Sequence, residues 1–165
     1  MAKKRSNSTI GIDIGTTSIK VVKASRRGSS YIVNSAHEYF FNQDIMRDGL
    51  PQQDGLLGMH VQQALVESGG GKSVAMAVPT NTIMTSIAMV DSRLKDSALF
   101  NNIETNLSRY IPLPADEVMV DCQIISQVED DPNTNEVLVV GTNREYVNSR
   151  MYACEDAELD LTLID

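Results

Sequence analysis

The chain has 165 residues, 42% of them hydrophobic and 22% charged, with a formal net charge of -8. Such a composition supplies enough apolar surface for one ordinary domain or two small ones and argues against global disorder. Phosphate backbones repel an acidic surface, which excludes non-specific nucleic-acid binding and leaves solubility as the simplest role for the charge.

No apolar run approaches the ~20 residues needed to span a bilayer, and the N-terminus lacks the apolar core of a secretory signal. A cytoplasmic location is expected. Residues 1–8 read as a disordered basic tail carrying Lys3, Lys4 and Arg5. Cys122 and Cys154 are isolated thiols without metal spacing, and His37 and His60 are equally isolated.

In chain order, residues 8–14 alternate with Ile10, Ile12 and Ile14 on one side, as in a half-buried strand. Residues 18–25 predict a second strand and residues 30–40 a third, with turn chemistry at Arg26–Ser29. Short turns joining three strands imply an antiparallel meander. A helix is expected over 54–68, capped by Asp54 and stopped by Gly69-Gly70-Gly71, with Leu57, Val61, Ala64 and Leu65 on its apolar face. A short buried strand follows over 73–79.

A composition break at Pro79-Thr80 opens a second unit. It reads as a strand over 82–90, a helix over 97–110 ended by Pro112, and a strand over 117–128. A turn at Asp130–Asn133, a strand over 136–142 and a helix over 144–155 with Val147, Met151 and Cys154 aligned come next. Residues 159–164 alternate once more. The expected organisation is a first subdomain over 9–79, an inserted unit over 80–158, and a strand over 159–165 returning to the first.

The segment Gly11-Ile12-Asp13-Ile14-Gly15-Thr16-Thr17-Ser18 carries the chemistry. A strand ends on an aspartate, a glycine sits in the turn, and two hydroxyl residues follow. The N–H groups of Gly15, Thr16 and Thr17 form a candidate nest for phosphate oxygens. Asp13 beside a phosphate needs a cation between them, so it is the candidate Mg²⁺ arm, acting through water. Lys20 faces either phosphate or solvent, and solvent is the favoured reading. A plain hairpin turn remains the alternative on spacing alone. Gly69-Gly70-Gly71-Lys72-Ser73 imitates a Walker A loop, but Val66 stands where its first glycine belongs and a strand, not a helix, follows.

IGIDIGTTSIK resembles the first phosphate motif of the actin, Hsp70 and sugar-kinase superfamily. NIETNLSRYIPLPADEVMVDCQII, with its Tyr110-Ile111-Pro112-Leu113-Pro114 turn, resembles a segment of the PilM family of type IV pilus assembly proteins, as does the stretch from Val137 to Asp165. The resemblance implies an α/β fold of the actin-like ATPase, ribonuclease-H-like kind, with a small inserted α+β subdomain, stopping before a second large domain. It implies ATP and Mg²⁺ as ligands and binding rather than turnover, with no hydrolysis expected of this half-site alone. It further implies a peripheral place at the inner membrane, reached indirectly through the N-terminal tail of a PilN-like membrane protein held between the two subdomains. The alternatives within the superfamily are an FtsA-like division protein and a sugar kinase.

Overall fold

The structure is a computed structural model and describes residues 8–53 and 55–165. The expected basic tail and the expected cap at Asp54 lie outside the described residues. In chain order the elements are strands β1 (Ser8–Ile14), β2 (Ser18–Arg27), β3 (Ser30–Phe40), β4 (Met46–Arg47) and β5 (Leu50–Pro51), helix α1 (Leu56–Glu67) and strand β6 (Ser73–Met76). Strand β7 (Met84–Asp91), helix α2 (Asp96–Thr105), strands β8 (Val118–Val128) and β9 (Asp131–Asn143), helix α3 (Arg144–Asp156) and strand β10 (Asp160–Ile164) follow. The chain divides into two compact units, one running to Pro79 and resuming over Asn148–Asp165, the other spanning Thr80–Val147.

The first unit is built on a five-stranded sheet in the order β10-β6-β1-β2-β3. The meander β1-β2-β3 is antiparallel, whereas β6 and β10 join it in parallel. Parallel neighbours need a crossover. Helix α1 supplies the one that leads to β6, and the connection from β6 to β10 contains the whole second unit and α3.

The alternation along β1 decides what the sheet covers. Ile10, Ile12 and Ile14 point into a core with Ile19 and Val21 of β2, Leu57, Val61, Ala64 and Leu65 of α1, and Val74 and Met76 of β6. Burying side chains of this size stabilises by roughly 1.5–3 kcal/mol each. Asp13 therefore faces the other side of the sheet, where it is exposed.

Helix α1 ends in a Schellman motif. Gly70 N–H donates to Leu65 O at 2.7 Å and Gly69 N–H to Val66 O at 3.0 Å, with Gly69 at φ 96°. The triple glycine thus closes a helix and feeds β6.

Helix α3 departs from the expectation in two ways. Its second half belongs to the first unit, because Ala153, Cys154 and Ala157 pack into that core, so the unit boundary falls at Val147 and not at 158. Met151, expected on the apolar face, is 40% exposed, and Arg150 is fully buried instead. The Arg150 guanidinium donates from Nη1 to Gly49 O at 2.7 Å and to Ser149 Oγ at 2.8 Å. A buried cation is retained only with such acceptors.

The second unit is a three-stranded antiparallel sheet in the order β7-β9-β8 with α2 on one face. Leu99 and Ile103 of α2, with Leu107 and Ile111 after it, cover Ala88, Val90, Val118, Val137 and Val139. The α-helix stops at Thr105, and a 3-10 turn over Leu107–Arg109 carries the chain to Pro112, short of the expected end at 110. The β8–β9 turn lies at Glu129–Asp130, so the expected turn at Asp130–Asn133 is corrected. Pro132 sits inside β9, where the register slips between Gln127 and Val128 and its missing N–H is not needed.

Candidate functional site

The turn between β1 and β2 places the sequence-derived site residues. Gly15 N–H donates to Ser18 O at 2.9 Å and closes the turn. A Cβ at Gly15 would stand 3.3 Å from that same oxygen, a tight contact that favours glycine here. One expectation changes as a result. The Gly15 amide is already engaged within the turn and is not a free donor for a phosphate.

Thr16 and Thr17 differ. Among the described residues, neither of their N–H groups has an acceptor. Thr16 is exposed and Thr17 half-buried. The far end of β3 braces the turn from below. Phe41 N–H donates to Thr17 O at 3.0 Å, and the buried Ser18 hydroxyl donates to Glu38 Oε1 at 2.8 Å.

Asp13, Lys20 and Glu38 stand side by side across β1, β2 and β3. Lys20 Nζ lies 3.9 Å from Asp13 Oδ2 and 3.8 Å from Glu38 Oε1. Lys20, read from sequence as favouring solvent, is half exposed and lies between two carboxylates. Exposed pairs of this kind add little to stability. What they set is the charge of the surface beside the turn: two negative groups and one positive.

These residues fit half of a Mg²⁺–polyphosphate site. Two amides and the threonine hydroxyls are available to anionic oxygens, and Asp13 offers one carboxylate arm. Among the described residues there is no group of three or more His, Cys, Asp or Glu that would hold a bare metal ion. A single arm suits Mg²⁺, which keeps several waters and takes its other ligands from phosphate.

The isolated residues noted in the sequence do other things. Tyr39 Oη and His60 Nδ1 are 2.9 Å apart, and burial lowers the His60 pKa. His37 Nε2 lies 3.1 Å from Glu67 Oε2. Cys154 is in the core against Met76, and burial pushes its thiol up to about 11, an inert state. Burial, and then the charge of Asp121, also raise the Cys122 pKa. No helix is long and apolar enough to cross a membrane among the described residues.

Glu38 is the site residue that sequence reasoning missed. Counting back from the Arg27–Ser30 pair places His37 opposite Lys20. A bulge intervenes, because Lys23 pairs with Ser35 while Ala24 pairs with Val33, and the extra residue Asn34 brings Glu38 into line.

A family profile described as type IV pilus assembly protein PilM matches residues 11–165. Among solved structures, the chain superposes on one from a PilM-PilN type IV pilus biogenesis complex with a TM-score of 0.80 at 19% identity, covering 98% of this chain and 47% of that one. A Bacteroides thetaiotaomicron protein described as having an actin-like ATPase fold and unknown function matches at a TM-score of 0.42 and 10% identity, covering 96% of this chain and 52% of that one. That second likeness is too loose to carry an argument. The chain spans about half the length of these solved chains. Its mixed α/β fold is that of the PilM chain over this span, and the profile match takes in both units from Gly11 to Asp165. The chain belongs to the family of the type IV pilus assembly protein PilM.

Proposed function

We propose that the chain serves the inner-membrane platform of type IV pilus assembly from the cytoplasmic side, holding Mg²⁺-ATP at the β1–β2 turn and the N-terminal tail of a PilN-like membrane protein. The family match over residues 11–165 carries this reading. With the family known, the division-protein and sugar-kinase alternatives are set aside. The solved relative comes from a complex of PilM with PilN, which makes a PilN-like tail the first partner to test. On this reading the first unit is an actin-like subdomain and the second the small inserted one.

In this proposal the Thr16 and Thr17 amides take phosphate oxygens and Asp13 holds a hydrated Mg²⁺, which when bound shields the phosphate charge from that carboxylate. Gly15 shapes the turn. Phosphoryl transfer depends on positioning from several sides, and one turn supplies one side, so the chain binds nucleotide weakly and does not turn it over. A synthetic peptide copying the cytoplasmic tail of the organism's own PilN-like protein tests the partner. Saturable binding by the 165-residue chain, lost on scrambling the peptide, is expected. Equal binding of both peptides would reject the partner assignment.

A further inference from the structure

We infer that Glu38 makes anion binding at the β1–β2 turn depend on a divalent cation. This rests on the nucleotide reading of that turn. Three neighbouring strands present Asp13, Lys20 and Glu38 in one row on the exposed face of the sheet. The Lys20 ammonium lies almost equally far from both carboxylates, at 3.9 and 3.8 Å. It can neutralise one of them. The row therefore keeps one net negative charge beside the amides of Thr16 and Thr17.

The position of Glu38 is fixed by more than the lysine. Its Oε1 accepts from the Ser18 hydroxyl at 2.8 Å, and Ser18 is only 4% exposed. Ser18 is also the residue whose carbonyl closes the turn onto Gly15. The carboxylate is thus tied to the base of the phosphate turn, and its charge stays there when a ligand arrives. Asp13 has a use for its charge, as the arm for a hydrated cation. Glu38 is turned toward Ser18 and Lys20, so its charge has no such outlet. It opposes a bare polyphosphate and tolerates one whose charge a divalent cation has reduced. Glu38 acts as a specificity-determining residue that positions Lys20 and Ser18.

A unit charge about 6 Å from another in water-like surroundings changes an equilibrium about threefold. Removing the Glu38 charge should therefore raise the affinity for metal-free polyphosphate about threefold relative to the Mg²⁺-loaded form. The test is an amide NMR titration of the 165-residue chain with tripolyphosphate, once with excess Mg²⁺ and once with EDTA, following Thr16 and Thr17. Glu38→Gln keeps an oxygen able to accept from Ser18 and removes only the charge. Glu129→Gln, at the β8–β9 turn of the other unit, makes the same change in net charge and serves as the control. The expected result is a Mg²⁺/EDTA affinity ratio that narrows about threefold in Glu38→Gln and not in Glu129→Gln. An unchanged ratio in Glu38→Gln, with Thr16 and Thr17 still responding, overturns the role of Glu38 alone. No response at Thr16 and Thr17 with either probe in the unsubstituted chain overturns the nucleotide reading and this inference with it. Should Glu38→Gln lose the native amide spectrum, Glu38→Ser and a salt titration of the unsubstituted chain read the same charge effect, and a salt-independent ratio rejects it.

Discussion

Between Ile14 and Ser18 the first unit turns with one glycine; between Glu67 and Ser73 it turns with three. The triple-glycine turn looks the better phosphate loop by composition. Two of its amides are used inside the fold, where Gly69 and Gly70 close the end of α1, while those of Gly71 and Lys72 have no backbone acceptor among the described residues. At the single-glycine turn only the Gly15 amide is used, and those of Thr16 and Thr17 are left pointing at no protein acceptor among the described residues. Unengaged amides therefore do not by themselves separate the two turns; what the single-glycine turn has in addition is the exposed Asp13 carboxylate at the end of β1, and the number of glycines decides neither.

The comparison breaks most sharply at Gly71. Its φ of 147° suits glycine and strains any other residue, and a Cβ there would come within 2.2 Å of the terminal methyl of Ile10, which would have to turn aside. Gly71→Ala is expected to destabilise the chain by roughly 1–3 kcal/mol, chiefly through backbone strain. Urea unfolding measures it, and a loss below about 0.5 kcal/mol would show that the triple-glycine turn is not structural.

Asp13→Ala should do the opposite. Asp13 is exposed and its ion pair with Lys20 is long, so stability should stay within about 0.5 kcal/mol of the parent. Mg²⁺-nucleotide affinity should fall about tenfold, equivalent to about 1.4 kcal/mol. Calorimetry in the presence of Mg²⁺ decides between a binding residue and a turn residue, and equal affinities would make Asp13 the latter.

Gly15→Ala is milder than Gly71→Ala in stability. Gly15 carries no positive φ, and its added Cβ meets one carbonyl at 3.3 Å, so a loss of roughly 0.5–1 kcal/mol is expected. The readout specific to the turn is faster hydrogen exchange at the Gly15 amide, whose bond to Ser18 would open first. Unchanged exchange would mean that the turn does not need the glycine.

The strands of this unit were legible because alternation and turns agree. Ile10, Ile12 and Ile14 fix β1, and the glycine at position 28 fixes the hairpin. The site was legible as residues but not as contacts. The bulge at Asn34 shifts β3 by one place, and nothing local in Ile32–Ser35 announces it. Arg150 was hidden for a related reason. A periodicity argument puts the apolar Met151 inside, whereas the buried guanidinium depends on Gly49 O, a hundred residues away in sequence. Long-range polar partners and single-residue register shifts leave no periodic trace, so they are read only from the fold.

The smallest effect concerns pH and the strand that braces the turn. Tyr39 of β3 and Phe41, just past its end, flank the His60 ring on α1, with centroids 5.7 and 5.5 Å from it. Phe41 is also the residue whose N–H holds Thr17 O. Burial lowers the His60 pKa, so the folded state prefers the neutral ring, whose Nδ1 lies within hydrogen-bond distance of the Tyr39 hydroxyl. The sign follows from linkage. Below the ordinary histidine value the unfolded chain takes up a proton that the folded chain resists, so His60 contributes stability above that value and loses it as pH falls through its lowered folded value. The Glu67 carboxyl, held down by hydrogen bonds from Gln63 and His37, adds a separate loss at lower pH, below the ordinary carboxylate range. Melting temperature should therefore decline slightly from pH 7.5 to 5.5, and His60→Gln should flatten that decline while leaving the steeper fall in stronger acid. An identical slope in the two proteins over pH 7.5 to 5.5 would show that the ring between Tyr39 and Phe41 does not couple protons to the strand that supports the β1–β2 turn.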